Sequence, residues 1–343
     1  MGLDLKDKTL DALEQLVSDL GGKKYLGGYI FGFIHRRGVT DISQISPVSK
    51  AFRGRLAEQG YYISQLRKVQ TFEDPDGTIK YLFELADAKR IETVLMSDDG
   101  RKTVCISTQA GCAMNCAFCA TARVKLQRNL TAAEIVDQAG CIGRDKHRIN
   151  NIVYMGMGEP LENYDEVMRS VRILNHPDGY NIGIRHLTIS TCGIAPAIER
   201  LAEEDIHPRL AVSLNAPANS LRTKLMPINK KYPIESILRA VRAYQAKTKR
   251  RVTFEYVLIK GLNDGATQGR MLGKLVGGLK CNVNLIEYNP HAGCRFAASD
   301  RRAIERFGQA LRAAGIETTV RYKRGRKIKA ACGQLGADLL GGE

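Results

Sequence analysis

The sequence predicts an α/β protein: a parallel sheet of successive β-α units with a small helical domain at its N-terminal side. Three observations predict it. Residues 1 to about 60 carry helical hydrophobic periodicity, residues 66 to 96 switch to extended alternation, and from Val104 onward short apolar strands alternate with amphipathic helices. Sequential units of this length build either an open barrel or a doubly wound sheet. With 343 residues the chain can bury a substantial core, so one large domain with an appendage is expected. There is no fixed-period repeat and no low-complexity tract.

Residues 1–60 read as helices at Thr9 to Leu20, Tyr29 to Arg36 and Pro47 to Gln59, joined by Gly38-Val39-Thr40-Asp41 and Ile45-Ser46. We expect an accessory module of the helix-hairpin-helix kind, with Lys23, Lys24, Arg36, Arg37, Arg53 and Arg55 as candidates for phosphate contact. A strand-rich connector, 61–97, follows: Leu66 to Thr71, Thr78 to Leu85 and Arg90 to Met96, with Asp74-Pro75-Asp76-Gly77 turning between the first two. The β-α core, 98–326, has strands at Val104 to Thr108, Asn151 to Met155, His186 to Ser190, Arg209 to Leu214, Val252 to Ile259, Val283 to Glu287 and Thr318 to Arg321. Helices fall near Thr131 to Gly140, Tyr164 to Leu174, Ala195 to Glu203, Ile234 to Lys247, Gly269 to Val276 and Asp300 to Ala314. Residues 327–343 form a tail that carries Cys332.

The chemistry starts in the loop that leaves the first core strand. Cys112, Cys116 and Cys119 stand at C-x3-C-x2-C, which suits three corners of a four-iron cubane and leaves the fourth iron open. A zinc site would want a fourth Cys or His close by, and none follows at the usual spacing. Iron-sulfur is the better reading. The loop resembles that of the radical SAM superfamily, where a [4Fe-4S] cluster binds the amino and carboxylate groups of S-adenosylmethionine; that resemblance also favours the open, partial barrel over the doubly wound sheet.

Charge and cysteine count bound the partners and the compartment. With 52 Lys plus Arg against 36 Asp plus Glu, the formal charge is +16, enough to attract a polyanion such as RNA, although a merely basic soluble enzyme is the plainer reading of charge alone. The nine cysteines, an odd number with three clustered, fit a reducing compartment better than a disulfide framework. No run of 18 apolar residues exists and the N-terminus has no secretory pattern, so a cytoplasmic protein without a membrane partner is expected.

Other motifs sit at strand ends. Met155-Gly156-Met157-Gly158-Glu159-Pro160 follows the second core strand: glycines let backbone approach a ligand, and Glu159 can take an ammonium. Ser190, Ser213, Leu214, Asn215 and Asn289 end later strands, where hydroxyl and amide groups reach a ribose or carboxylate. Cys105 lies on the first core strand and Cys332 in Ala330-Ala331-Cys332-Gly333-Gln334-Leu335; from spacing alone each reads equally well as a packed thiol, and Cys141, Cys192, Cys281 and Cys294 keep that plain reading. Arg321, Lys323, Arg324, Arg326, Lys327 and Lys329 place six cations before Cys332, where they can grip phosphates.

Together the cysteine loop, Arg128-Asn129-Leu130, the Met155 to Pro160 motif, Leu225-Met226-Pro227-Ile228-Asn229, Val283-Asn284-Leu285-Ile286 and the Ala330 to Leu335 motif resemble the RlmN/Cfr family of radical SAM adenosine methyltransferases over nearly the whole chain. The resemblance implies that Cys112, Cys116 and Cys119 hold the cluster, and that Gly158, Glu159, Ser190, Ser213, Leu214, Asn215 and Asn289 line the S-adenosylmethionine site. It makes Cys332 the methyl-carrying cysteine, Cys105 its resolving partner and Glu92 the proton acceptor. In the implied reaction one S-adenosylmethionine methylates the Cys332 thiolate. A second, cleaved reductively to a 5′-deoxyadenosyl radical, takes a hydrogen from the S-methyl group. The methylene radical adds to the electrophilic adenine carbon, an electron and the ring proton leave, and Cys105 attacks Cys332, releasing methylated RNA and a disulfide.

Pro160 favours the RlmN branch, which methylates carbon 2 of an adenosine in 23S rRNA, with the tRNA anticodon loop a further candidate that the sequence leaves open; the Cfr branch, at carbon 8 and giving antibiotic resistance, is the alternative. A low-potential electron donor such as flavodoxin, a thiol reductant and a monomeric state are expected. Two other classes compete: a radical SAM activase or small-molecule enzyme, and an iron-sulfur RNA-binding regulator. The chain departs from its resemblance at Asn215, where a histidine is common, at Lys327 and Lys329, where acidic residues are usual, and in the glycine-free segment Thr121 to Leu126.

Overall fold

The computed structural model describes residues 3–145, 147–291, 293–321 and 324–340. The chain begins with α1 (Leu10–Asp19), α2 (Leu26–His35) and α3 (Lys50–Glu58). Thr9 and Ser49 cap α1 and α3 by accepting the Ala12 and Phe52 N–H groups, which fixes where these helices start. Helix α2 begins before Tyr29 because packing on α1 outweighs the poor helix propensity of Gly27 and Gly28.

Next come β1 (Arg67–Glu73), β2 (Ile79–Glu84), β3 (Arg90–Asp98) and β4 (Arg101–Cys105), an antiparallel meander whose first turn closes at Gly77. The chain continues through β5 (Gln109–Ala110), α4 (Thr121–Val124), β6 (Arg128–Asn129), α5 (Ala132–Arg144) and β7 (Asn151–Tyr154). Then follow α6 (Tyr164–Asn175), β8 (Leu187–Thr191), α7 (Ala195–Glu203), β9 (Arg209–Ser213), α8 (Asn219–Leu225) and α9 (Ile234–Thr248). The last elements are β10 (Val252–Leu258), α10 (Ala266–Val276), β11 (Cys281–Glu287), α11 (Arg301–Ala313) and β12 (Glu317–Arg321).

One ten-stranded sheet runs in the order β1-β2-β3-β4-β7-β8-β9-β10-β11-β12, and β5 with β6 forms a separate two-stranded ribbon. Every pairing from β4 to β12 is parallel. Spatial order therefore follows sequence order with no reversal, which excludes the doubly wound alternative: a sheet wound in one sense puts its helices on one face and curls. Among the described residues β12 and β1 pair with no further strand and not with each other, so the barrel is open, as expected. The first core strand ends at Cys105, three residues short of the expected Thr108, because the chain then turns inward and Ile106 exchanges backbone bonds with Val153 and Gly156. The short α4, α8 and β5–β6 ribbon lack the periodicity that reveals longer elements. No helix among the described residues is long and apolar enough to cross a membrane.

Candidate active site

The cysteine loop leaves the barrel after β4 and β5. Gly111 turns it at φ +82, where an added Cβ would lie 1.6 Å from the Lys125 carbonyl oxygen, so only glycine fits. The Ala117 N–H donates to Leu225 O at 2.9 Å and Cys119 N–H to Cys116 O at 3.1 Å. Cys112, Cys116 and Cys119 pack against Met114, Phe118, Cys192, Leu225, Met226, Ile259 and Tyr288. Burial pushes the Cys112 thiol up to about 12 and the Cys116 thiol well above its ordinary value, and each cysteine's neighbours in the loop push further. Buried thiols such as Cys112 and Cys116, which resist ionisation, are the donors an iron cluster relieves by supplying positive charge. Among the described residues no three His, Cys, Asp or Glu side chains converge as ligands of a single metal ion do; cubane thiolates stand further apart, one to each iron corner. The residues fit a [4Fe-4S] cluster. On its outer side the loop opens into a recess of about 340 Å³ lined by Cys116, Cys119, Arg123, His291 and Cys294.

Gly158, Glu159, Ser190, Ser213, Leu214, Asn215 and Asn289 all follow or end β7, β8, β9 and β11, at the same end of the parallel sheet as the loop after β4. At Gly158, φ +99, a Cβ would sit 2.5 Å from that of Gln109, so the backbone runs flat beneath the ligand side. Glu159 is buried; its Oε2 accepts the Cys192 N–H at 2.8 Å and its Oε1 the Leu161 N–H at 3.1 Å, while burial raises its pKa. The Thr191 and Cys192 side chains also bond to the carboxylate, which lies within the electrostatic reach of Cys112 and Cys116. Asn215 takes φ +59, a left-handed conformation asparagine tolerates; its Oδ1 accepts the Val257 N–H at 2.8 Å. Beneath lies the fully buried Arg222, whose guanidinium donates to the carbonyls of Leu214 (3.1 Å), Cys192 (2.5 Å) and Ser213 (3.2 Å) and to Asn229 Oδ1 (3.0 Å). Sequence reasoning passed over Arg222; its place three residues before the Leu225 to Asn229 motif was the available signal.

The tail folds back over the mouth of the barrel. The Asn289 amide donates to Cys332 O at 3.2 Å, Gln334 Nε2 to Pro290 O at 2.9 Å, Ala120 N–H to Gly333 O at 2.8 Å, and Thr121 Oγ1 to Leu335 O at 2.7 Å. Cys332 is reached by solvent although protein surrounds it, as a side chain in an interior recess would be. Burial raises its thiol pKa; the Arg321 guanidinium pulls it back, and Glu255 and Cys119 are also close enough to act on it. Cys105, at the end of β4, is pushed up to about 12 by burial and then by Cys332. The structure thus places Cys332 within electrostatic reach of Cys105, Cys119, Arg321 and Glu255, the last two a pair the sequence did not single out. Arg321 Nη2 lies 3.7 Å from Glu255 Oε1, and Glu255, 4% exposed, also accepts from Asn284 at 3.1 Å.

Glu92 is placed differently from the other candidates. It is 1% exposed on β3, its Oε2 accepts the Gly336 N–H at 2.7 Å, and its Oε1 lies 3.0 Å from Lys80 Nζ, an ion pair off the hydrogen-bonding direction. It therefore grips the tail four residues beyond Cys332. Among the basic tail residues, three are engaged by acids of the protein itself. Arg321 turns into the barrel, Arg324 pairs with Asp98 at 2.6 Å and Lys329 with Asp338 at 2.6 Å, because acids of the β1–β2 turn, of β3 and of the tail itself face them; Lys323 lies outside the described residues. Arg326 and Lys327 remain exposed. All nine cysteines are free.

An open parallel barrel with this three-cysteine loop at the C-terminal ends of its strands defines a radical SAM protein. The Radical SAM superfamily model matches residues 106–268, and the Ribosomal RNA large subunit methyltransferase N-terminal domain matches residues 3–61. Probable dual-specificity RNA methyltransferases RlmN from Thermoanaerobacter sp. (strain X514) and from Thermus thermophilus are 44% and 45% identical, covering 98% and 94% of this chain and 98% and 92% of theirs. A crystal structure of a radical SAM methyltransferase from Sphaerobacter thermophilus is 45% identical and superposes with a TM-score of 0.91, over 97% of this chain and 99% of that one. The chain belongs to the RlmN family.

Proposed function

We propose that the protein is a radical SAM RNA methyltransferase that methylates carbon 2 of an adenosine in 23S rRNA and in the tRNA anticodon loop. The observation that carries this reading is the tail, hydrogen-bonded to the cluster-loop side and to Asn289 so that Cys332 comes within electrostatic reach of both Cys105 and Cys119. The relatives' printed names support RNA as substrate and both specificities.

Cys112, Cys116 and Cys119 would hold the [4Fe-4S] cluster, and Gly158, Glu159, Ser190, Ser213, Leu214, Asn215 and Asn289 would line S-adenosylmethionine, two molecules per turnover. When bound, this pair supplies one-electron chemistry and the methyl group. Cys332 carries the methyl: it is the thiol Arg321 helps to ionise, whereas Cys105 is held protonated by burial until its turn as resolving thiol. Glu92 would accept the ring proton, and its bond to Gly336 ties that role to a docked tail. The Cys105–Cys332 disulfide forms only within turnover, so each cycle draws on a low-potential donor such as flavodoxin, for which the recess beside Cys116 and Cys119 is a natural approach, and on a thiol reductant. We expect a cytoplasmic monomer.

The test is nucleoside mass spectrometry of rRNA and tRNA after anaerobic reaction with reconstituted protein. 2-Methyladenosine in both pools is the expected result; 8-methyladenosine, or no methyladenosine in either pool, would sink the proposal.

A further inference from the structure

A cation-lined recess lies at the opposite end of the barrel from Cys332. A recess of about 600 Å³ opens where the end of α2 meets the last turns of α5, the loop 147–150 and the loop 177–183. Arg36, Arg37, Arg144 and Arg148 line it with His35, His147 and His186, and no Asp or Glu is among its lining residues. Lys102 adds charge behind it, its Nζ 2.7 Å from His147 Nδ1.

Two plainer explanations of so many cations fall short. Arginines near helix C-termini offset the dipole, but two such ends carry only about one negative charge between them. Internal pairing takes up one cation: Arg144 bonds to Asp137 at 3.1 Å, and Asp137 is shared with Lys6. Arg37 lies over the Phe33 ring at 4.2 Å, which leaves its charge in place. Arg36 and Arg148 are exposed and make no ion pair among the described residues. An excess of roughly two positive charges faces the recess. Its floor holds His35, 4% exposed, neither of whose ring nitrogens has a hydrogen-bond partner. A buried ring with both nitrogens idle beside a cation-lined recess is a group awaiting a ligand.

The recess is not part of the catalytic mouth. Asn150 and His186, which line it, immediately precede β7 and β8, and Lys102 is near the start of β4, whose other end is Cys105. About 10 Å of strand separates Lys102 from Cys105, at roughly 3.3 Å per residue. Because α2 belongs to the helical N-terminal part and α5 to the barrel, a ligand here bridges the two.

We propose that this recess binds backbone phosphates of the substrate RNA, as a sequence-independent anchor that holds an RNA arm while its adenosine reaches Cys332 at the other end. The inference rests on RNA being the substrate. Its footprint is electrostatic: guanidinium groups bonding phosphate oxygens, with counterion release making binding steeply salt-dependent.

The test compares the full-length holoprotein with the double variant Arg36→Glu/Arg148→Glu and a charge-matched control, Arg302→Glu/Arg306→Glu, on the exposed side of α11. Fluorescence anisotropy with tRNA and an rRNA fragment, over a salt series, gives affinity and salt slope; steady-state methylation gives KM and kcat. We expect the recess variant to bind at least about tenfold more weakly than the control, with a salt slope shallower by about 2, and its KM to rise with kcat within twofold. Equal affinities and slopes for recess variant and control would overturn the inference. So would a recess that serves a free anion: pyrophosphate raising the Tm of wild type but not of the variant, with RNA affinity unchanged. A wild type that makes no methyladenosine indicts the catalytic reading instead, since the anisotropy comparison needs no turnover.

Discussion

At the residue scale the recess at the barrel mouth sorts two chemically identical thiols by their surroundings. Cys332 is open to solvent and shares its space with Arg321, whereas Cys105 is sealed at the end of β4 and lies further from ionisation. Cys332→Ala should abolish methyl transfer to RNA while leaving the iron content and absorbance of the reconstituted cluster unchanged, since its three ligands are elsewhere; retained methylation would remove Cys332 from the reaction. Arg321→Met should slow iodoacetamide alkylation of Cys332 and move the alkylation pH profile upward by about one unit, because the thiolate loses its nearest cation. Glu92 illustrates how a side chain serves two ends. Glu92→Gln removes the countercharge from one side of the buried Lys80, which keeps Asp338 at 2.6 Å, so we expect a loss of about 2 kcal/mol in urea unfolding together with faster proteolysis of the tail. The identities of these residues are legible in the amino-acid sequence, but the pairing of Arg321 with Glu255 is not: the two come from β12 and β10, distant in sequence, and meet over the intervening β11.

At the element scale, caps and turns explain most boundaries. Thr131 and Glu134 close a capping box at the start of α5, the helix that sits directly after the cysteine loop, and Thr131→Ala should cost about 1 kcal/mol. Helix α2 buries His35 against Phe31 and Tyr180, and the Phe31 ring in turn meets His176. Burial, reinforced by Lys6, pushes its pKa down to about 3. The folded state therefore refuses a proton that the unfolded chain takes up below about 6.5, so stability is full above that pH and falls as the pH drops toward 3. At pH 5 the loss is about 2 kcal/mol, and His35→Phe should flatten this part of the stability profile in thermal melts at pH 7 and pH 5. An unchanged pH dependence in the variant would show that other groups set the acid limit. Strands and helices with a clean period were legible; α4, α8 and the β5–β6 ribbon were not, since two to seven residues carry too little pattern, and α4, for one, is held by tail contacts such as Thr121 Oγ1 to Leu335 O.

At the scale of the whole molecule, the helical N-terminal part is fastened to the barrel by a buried ion pair. Lys6 Nζ stands 2.7 Å from Asp137 Oδ1, with the two side chains 2% and 1% exposed, and the Leu66 N–H donates to the other carboxylate oxygen at 2.8 Å. Lys6→Met would strand Asp137 in the interior with only Arg144 in partial compensation. We expect a destabilisation of about 3 kcal/mol in urea unfolding, and a smaller loss for the double variant Lys6→Met/Asp137→Leu, which buries no charge. Comparable losses in both would mean that packing, not charge, holds the junction.

The sequence by itself determined the chemistry-bearing residues and the class of sheet. Cysteine spacing is local, and an eight-residue loop, Cys112 to Cys119, states its ligand pattern without reference to the rest of the chain. Strand-helix alternation likewise states a parallel sheet, because each crossover has to bury an apolar face. Only the tertiary structure decided that the sheet curls without reversing, that three of the six basic tail residues, Arg321, Arg324 and Lys329, pair with acids, and that Arg36 and Arg148, more than a hundred residues apart in sequence, line one recess. These are contacts between distant segments. They depend on which faces meet once the core closes, and no local pattern encodes that.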